Sequence, residues 1–268
     1  VEEFANAAGL TTASVNGDAF STEIKAQTCE VIKQTMGKID LVIYSLASPR
    51  RVMPGTGEVI HSTLKPTGEL YKNKTIDPFK AYLSTVEIDP ATPDEIEATV
   101  KVMGGDDWAL WMEALQQQDL LADGVKTVAY SYVGPEITYP IYRQGTIGKA
   151  KEDLEQTAHR LDSLLAAING KAYVSVNKAL VTQASAAIPV VPLYISMLYK
   201  LMKQKNIHEG CIEQIQRLYS DFLFSEQTLI TDDKGRIRID DLEMRADIQA
   251  EIDKLWKMVE QDNLLDIV

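Results

Sequence analysis

A chain of 268 residues with 45% hydrophobic content can bury one large core, and its length permits one or two domains. A net charge of -12 and a pI near 4.8 argue against a surface that tracks a phosphate backbone, so nucleic acid is set aside as a partner. No apolar run reaches the roughly 20 residues of a membrane span, no secretory leader is visible, and Cys29, Cys211 and the three scattered histidines form no metal pattern; the expectation is a cytoplasmic monomer with structural thiols.

VEEFANAAGL reads as the tail of a helix closed by Gly9. An α/β domain normally opens with a strand, so a further amino-terminal part is expected before Val1, and the abrupt end at Val268 raises the same expectation there. LTTASVNGDAFS predicts a short strand running into Asn16-Gly17-Asp18, then a helix from Thr22 to Met36, capped by Ser21 or Thr22 and ended by Gly37. KIDLVIYSLASP is a near-continuous apolar strand suited to a buried parallel sheet, which makes strand, helix and strand a βαβ unit. Small residues at both strand ends suit a ligand approaching the backbone, and equally suit a plain turn. From Arg50 to Ile88 alternation with Gly and Pro predicts a hairpin insertion. Thr92 is placed to cap a helix that Gly104-Gly105 breaks; in the next helix Trp108, Trp111, Met112 and Leu115 share a core-type spacing.

Thr127 to Val133 is a β-branched and aromatic run that ends at Gly134-Pro135. Beyond it come Tyr139, Tyr142, Gly145, Gly148, Lys149 and Lys151, then an amphipathic helix with Leu154, Ala158, Leu161, Leu165 and Ile168 on one face. Tyrosines therefore gather where a strand ends and lysines enter the next helix. A nearby ammonium favours a phenolate and strengthens a phenol as a donor. Lys151 lies nine positions after Tyr142, which at about 3.6 residues per turn would oppose them on one straight helix. They converge only if the stretch between them is unwound or if Tyr142 precedes the helix. On spacing alone the plain alternative stands beside this: tyrosines packing a sheet edge, lysines in solvent.

After Asn169-Gly170, Ala172 to Val181 predicts another parallel-type strand, followed by Thr182-Gln183-Ala184-Ser185. The apolar helix next to it, bent by Pro189 and Pro192, suits either a partly exposed lid over a greasy substrate or an ordinary core helix. The remainder, including CIEQIQRLYSDFL, RIRIDD and LEMRADIQAEIDKLWKMVEQ, reads as helix, short strand and helix with no visible chemistry.

GDAF (residues 17–20), YSLASP (44–49), VKTVAYSYVGPEITYPIY through to Lys151, VTQASAAIPVVPLYI (181–195) and HEGCIEQI (208–215), in that order, resemble the NADH-dependent trans-2-enoyl-CoA/acyl-carrier-protein reductases, a Tyr-x8-Lys branch of the short-chain dehydrogenase/reductases. The likeness covers essentially the whole chain. It implies a Rossmann-like parallel sheet with helices on both faces, spanning residues 1–268, with a β-hairpin insertion at 50–90 and a helical substrate-covering region at 184–225. It implies Tyr142 as catalytic proton donor and Lys151 as the lysine that holds the nicotinamide ribose and biases Tyr142. Tyr132 would contact the substrate thioester. Asp18 and Ala19 would bracket the adenine, Leu46 and Ala47 would lie on the adenosine side, and Leu180, Val181 and Thr182 would line the nicotinamide end of NADH/NAD. The substrate would be enoyl-CoA or enoyl-acyl-carrier-protein, reduced in fatty acid synthesis. The family's first strand, glycine-rich phosphate loop and NADH-selecting acid would precede Val1, a βαβ unit of roughly 30 residues or more. A carbonyl reductase of the same superfamily and a non-catalytic acyl- or nucleotide-binding relative are the alternatives.

Overall fold

A computed structural model describes residues 1–182, 185–186 and 188–268. The short helix α1 (Glu2–Ala7) is followed by α2 (Thr22–Thr35), β1 (Ile39–Tyr44), β2 (Arg50–Val52), β3 (Val59–His61), β4 (Tyr71–Asp77) and β5 (Tyr82–Ile88). Then come α3 (Pro93–Met103), α4 (Asp106–Gln117), β6 (Leu121–Ser131), α5 (Thr146–Leu165) and β7 (Lys171–Val176). The chain finishes with α6 (Val191–Gln204), α7 (Cys211–Arg217), β8 (Ile237–Arg238), α8 (Ala246–Met258) and α9 (Leu264–Ile267). Among the described residues no helix is long and apolar enough to cross a membrane.

The central sheet has the order β1-β6-β7-β8, with all three pairings parallel. Successive side chains of a strand face opposite sides, and the apolar runs of β1 and β6 use both. Val125 and Ala129 of β6, with Val42 and Tyr44 of β1, meet Trp108, Met112, Leu154 and Leu161 on one face. Val128 and Tyr130, with Leu41 and Ile43, meet Leu218 and Leu223 on the other. Helices therefore cover both faces, the Rossmann-like layering. Ser21 caps α2 by accepting from the Ile24 N–H at 3.1 Å. Thr92 and Glu95 form a reciprocal capping box on α3.

Four expectations change. Residues 10–16 form no strand, so the first βαβ unit is not made; most of this segment is exposed, and a strand exists only where a neighbour completes its hydrogen bonds. The insertion is two hairpins, β2 with β3 and β4 with β5. The strand after Gly170 stops at Val176 rather than Val181, because side chains take its next donors: Lys178 N–H donates to Gln214 Oε1 at 3.2 Å and Ala179 N–H to Glu243 Oε2 at 2.6 Å. The apolar helix α6 is a core helix on its apolar face, with only its carboxyl-terminal Lys203 and Gln204 exposed. Leu193, Tyr194, Met197, Leu198 and Met202 are fully buried beneath Ile76 of β4 and Ile248, Ile252 and Trp256 of α8. Gln183, Ala184 and Ala187 of the expected cofactor-side loop, with them the first residue of the 184–225 region, lie outside the described residues.

Candidate active site

The segments that follow β1, β6, β7 and β8 leave the carboxyl edge of the sheet, where open parallel sheets bind ligands. Tyr142 sits on the segment after β6, ahead of α5 rather than inside it. Its N–H donates to the Thr138 carbonyl at 2.9 Å, and its own carbonyl accepts from Gly145 N–H (3.1 Å) and Gly148 N–H (2.9 Å). This tight coil absorbs the nine-position spacing. Gly148 makes it possible: a Cβ there would lie 1.8 Å from the Arg143 carbonyl oxygen. The insertion holds the coil from outside, with Thr146 N–H donating to the Lys65 carbonyl (2.9 Å) and Thr146 Oγ1 to the Thr63 carbonyl (2.6 Å).

Tyr142 is 8% exposed and meets the Tyr132 ring edge-on, with centroids 5.2 Å apart. The two tyrosines line a cavity of about 210 Å³ together with Ser131, Leu180, Thr182, Val191 and Ile195. Burial pushes the Tyr142 phenol up to about 12. Lys151, in the second turn of α5, points its ammonium at the Tyr130 carbonyl (3.4 Å), and burial lowers it to about 8 against the pull of Glu155. No hydrogen bond joins Lys151 to Tyr142 among the described residues, and desolvation is the one cause of the Tyr142 shift. Lys151 thus contacts β6 at the Tyr130 carbonyl, while Tyr142 meets the Tyr132 ring just beyond the strand.

A second cleft, about 420 Å³, runs along β1 and is lined by Ala19, Leu46, Tyr44, Ile32 and Trp111. Of the four residues expected on the adenosine side, Ala19 and Leu46 line it. Asp18 Oδ1 accepts from the Phe20 N–H at 3.0 Å and shapes that loop. Buried Lys25 donates to the Ala19 carbonyl (3.2 Å) and the Phe20 carbonyl (2.9 Å) while pairing with Asp107 at 2.7 Å. Asp18, Ala47 and Val181 are exposed and line neither cleft. Val181 is held through its N–H, which donates to the Tyr199 hydroxyl at 3.0 Å.

The sequence reading missed Glu243, in the turn after β8. It is fully buried and accepts from the Tyr132 hydroxyl at 3.0 Å. The available signal was topological: RIRI reads as a short strand with DDLE directly after it, and segments after parallel strands converge on the site.

The profile of the trans-2-enoyl-CoA reductase catalytic region matches residues 1–224. The chain belongs to the trans-2-enoyl-CoA reductase family. Within that family, it is 61% identical over 265 residues to a NADH enoyl-acyl-carrier-protein reductase of Coxiella burnetii (strain RSA 493 / Nine Mile phase I), covering 98% of this chain and 65% of the relative. It is 57% identical over 266 residues to a NADH trans-2-enoyl-CoA reductase of Ruminiclostridium cellulolyticum, covering 99% of this chain and 67% of that protein. The chain thus spans about 65% of the length of the first of these relatives. Its fold superimposes on the Clostridium acetobutulicum trans-2-enoyl-CoA reductase solved with NADH, with a TM-score of 0.97 at 47% identity, over 99% of this chain and 67% of that one. The Treponema denticola enzyme of the family, solved with NAD, gives 0.95 at 50% identity, over 99% of this chain and 66% of that one.

A second profile, named for an enoyl reductase FAD-binding domain, matches residues 231–268. Those residues do not fit a flavin. Their apolar side chains Ile237, Ile239, Ile248, Ile252, Trp256 and Leu264 are spent in the core, and their two deeply buried carboxylates are committed, Asp240 to Arg238 and Glu243 to tyrosines.

Proposed function

We propose that this chain carries the reaction centre of a reductase that saturates the trans-2 double bond of an enoyl thioester with NADH, in fatty acid synthesis. The observation that carries this reading is the shared cavity: a buried phenol, Tyr142, lines it together with Leu180 and Thr182 and with the apolar Val191 and Ile195. The chain's residues fit the two ends of the cofactor. Among the described residues the buried Ser131 Oγ has no partner; it lies beside Leu180 and Thr182, a polar group for the nicotinamide riboside, and Ala19 and Leu46 offer an apolar slot for the adenosine. Lys151 is the ammonium assigned to the ribose; its one long hydrogen bond leaves donors for a diol.

NADH, when bound, supplies the hydride that reaches the β-carbon of the substrate. Negative charge then develops on the thioester oxygen as an enolate. With its phenol raised to about 12, Tyr142 stays protonated at any ordinary pH and is a neutral donor until that charge appears. Its hydroxyl donates to the enolate oxygen, a contribution worth about 3 kcal/mol in a dry site. Tyr142 then gives a proton to the α-carbon, directly or through water, which completes the saturated acyl product, and the phenolate takes its proton back from solvent. Tyr132 packs edge-on against the Tyr142 ring and fixes its plane. Val191, Ile195 and the partly buried Ile188 give the acyl chain an apolar wall. A CoA or a carrier-protein handle both leave this chemistry unchanged.

Mixing the intact protein with NADH and crotonyl-CoA tests the reading: NADH is consumed and butyryl-CoA appears. Oxidation with simple ketones but not with crotonyl-CoA would make it a carbonyl reductase. An NADH titration without any binding would make it a non-catalytic relative.

A further inference from the structure

Glu243 accepts three hydrogen bonds from three different parts of the fold. The Tyr132 hydroxyl after β6 donates to Oε1 at 3.0 Å, the Tyr194 hydroxyl of α6 to Oε1 at 2.7 Å, and the Ala179 N–H after β7 to Oε2 at 2.6 Å. Each donor belongs to a wall of the Tyr142 cavity. Tyr132 and Ala179 line it directly, and the helix of Tyr194 supplies Val191 and Ile195. Gln249 braces the arrangement, donating through Nε2 to the Tyr194 hydroxyl (3.1 Å) and to the Glu243 carbonyl (2.7 Å).

The charged surroundings are as confined as the hydrogen bonds. Lys178, 3% exposed, lines the same cavity, donates to the Ala179 carbonyl at 2.8 Å and lies 4.3 Å from the centroid of the Tyr199 ring. Glu209, Asp240 and Tyr142 are the other titratable groups acting on Lys178, Tyr194 and Tyr132. Every group in contact with the Glu243 oxygens is a donor. The ionised carboxylate accepts from all three at once, whereas an acid keeps its proton bonded only by turning one of the two tyrosine hydroxyls from donor to acceptor. Burial opposes that ionisation more strongly than the donors and Lys178 favour it, and the carboxyl rises to about 7.

We propose that Glu243 is a positioning residue of the reduction site: its carboxylate locks the Tyr132 hydroxyl, the acyl-covering helix through Tyr194, and the nicotinamide-side loop through Ala179 into one arrangement around Tyr142. The proposal rests on the reading that this cavity is where the enoyl thioester is reduced. The role falls to a segment, residues 231–268, that otherwise packs the core. It also sets a pH requirement, since the clamp is complete only with the carboxylate formed, and turnover rises through the neutral range as the acid ionises.

The test compares Glu243→Gln, Glu243→Asp and Tyr194→Phe in the intact protein. Glu243→Gln lowers kcat on crotonyl-CoA roughly tenfold or more, the scale of a misplaced reacting group. It leaves the Kd for NADH within about twofold and removes the acid limb of the kcat profile. Glu243→Asp, which keeps the charge, restores part of the turnover together with the limb. A folded Glu243→Gln with wild-type kcat and an unmoved pH profile overturns the proposal. If Glu243→Gln does not fold, Tyr194→Phe carries the test: it raises KM for dodecenoyl-CoA more than for crotonyl-CoA because the helix over the acyl chain is released, and an equal effect on both overturns the clamp. Tyrosines labelled with ¹³C at Cζ give a reading independent of turnover. The Tyr132 and Tyr194 signals titrate together in the wild type and lose that step in Glu243→Gln. A titrating clamp in a protein without enoyl reduction would sink the assigned reaction alone; active enzyme whose tyrosines ignore Glu243 would sink the clamp alone.

Discussion

The walls of the Tyr142 cavity hold one another, whereas those of the groove along β1 hold almost nothing. Around Tyr142, Tyr132 lies edge-on to the Tyr142 ring, Glu243 ties Tyr132 to Tyr194 and Ala179, and the Thr63–Lys65 segment pins the coil that carries Tyr142. Along β1 the strand is half-buried, Leu46 and Met36 are largely open to solvent, and order comes from a loop anchored by Lys25. In the proposed reaction the first region would hold a donor fixed to a fraction of an ångström against an enolate, while the second would offer an adenine an apolar slot and a steady backbone.

Substitutions separate the two regions. The largest effect is expected for Tyr142→Phe, which removes the donor and nothing else. Turnover should fall about a hundredfold or more, while the Kd for NADH from fluorescence titration changes less than about twofold. Gly148→Ala comes next. Its Cβ would meet the Arg143 carbonyl oxygen at 1.8 Å and force the coil open, and kcat should drop roughly tenfold with a lowered melting temperature. Gly68→Ala, where a Cβ meets nothing within 4 Å, should leave both unchanged. On the β1 side, Lys25→Met removes the clamps on the Ala19 and Phe20 carbonyls. NADH should bind a few-fold more weakly, by about 1 kcal/mol, with kcat at saturating cofactor unmoved. An equal fall in kcat would erase the distinction between the two ends.

The smallest effect is a pH dependence of stability. Glu243 is raised from 4.5 to about 7 in the fold, so its favourable contribution is complete below 4.5 and is lost as pH rises through 7. Lys178 is lowered from 10.5 to about 8, so its contribution is complete above 10.5 and is lost as pH falls through 8. Between those values both groups are charged in a dry site, and the cluster costs the fold most. The melting-temperature difference between Glu243→Gln and wild type should move in favour of the glutamine as pH rises from about 5 to about 7. A flat difference across that range would show that the carboxyl titrates as if it were in water.

Much of this was written locally. The runs IDLVIY and TVAYSYV read as parallel strands, the first of them left half-buried in the fold, Ser21 and Thr92 announced their helices, and Gly145 and Gly148 marked the break between tyrosine and lysine. What stayed hidden depends on partners far away in the chain. The strand after Gly170 ends early because Gln214 and Glu243, 36 and 64 residues from the amides they accept, capture its donors. Helix α6 reads equally as lid or core until β4 and α8 are seen to cover it. Glu243 sits in RIDDLEMR, a stretch whose charges look solvated; only the parallel placement of β8 turns that residue inward. A segment such as LTTASVN has strand-like composition, and composition cannot supply the neighbour that a strand needs.

The central claim is that the Tyr142 hydroxyl receives the charge that develops on the thioester. A crystal structure of the intact protein with NADH and an enoyl thioester analogue that resists reduction tests it most directly. The thioester oxygen should lie about 2.7 Å from the Tyr142 hydroxyl, inside the cavity shared with Tyr132 and Thr182. A thioester bound outside that cavity, or with its oxygen on a different donor, would contradict the account.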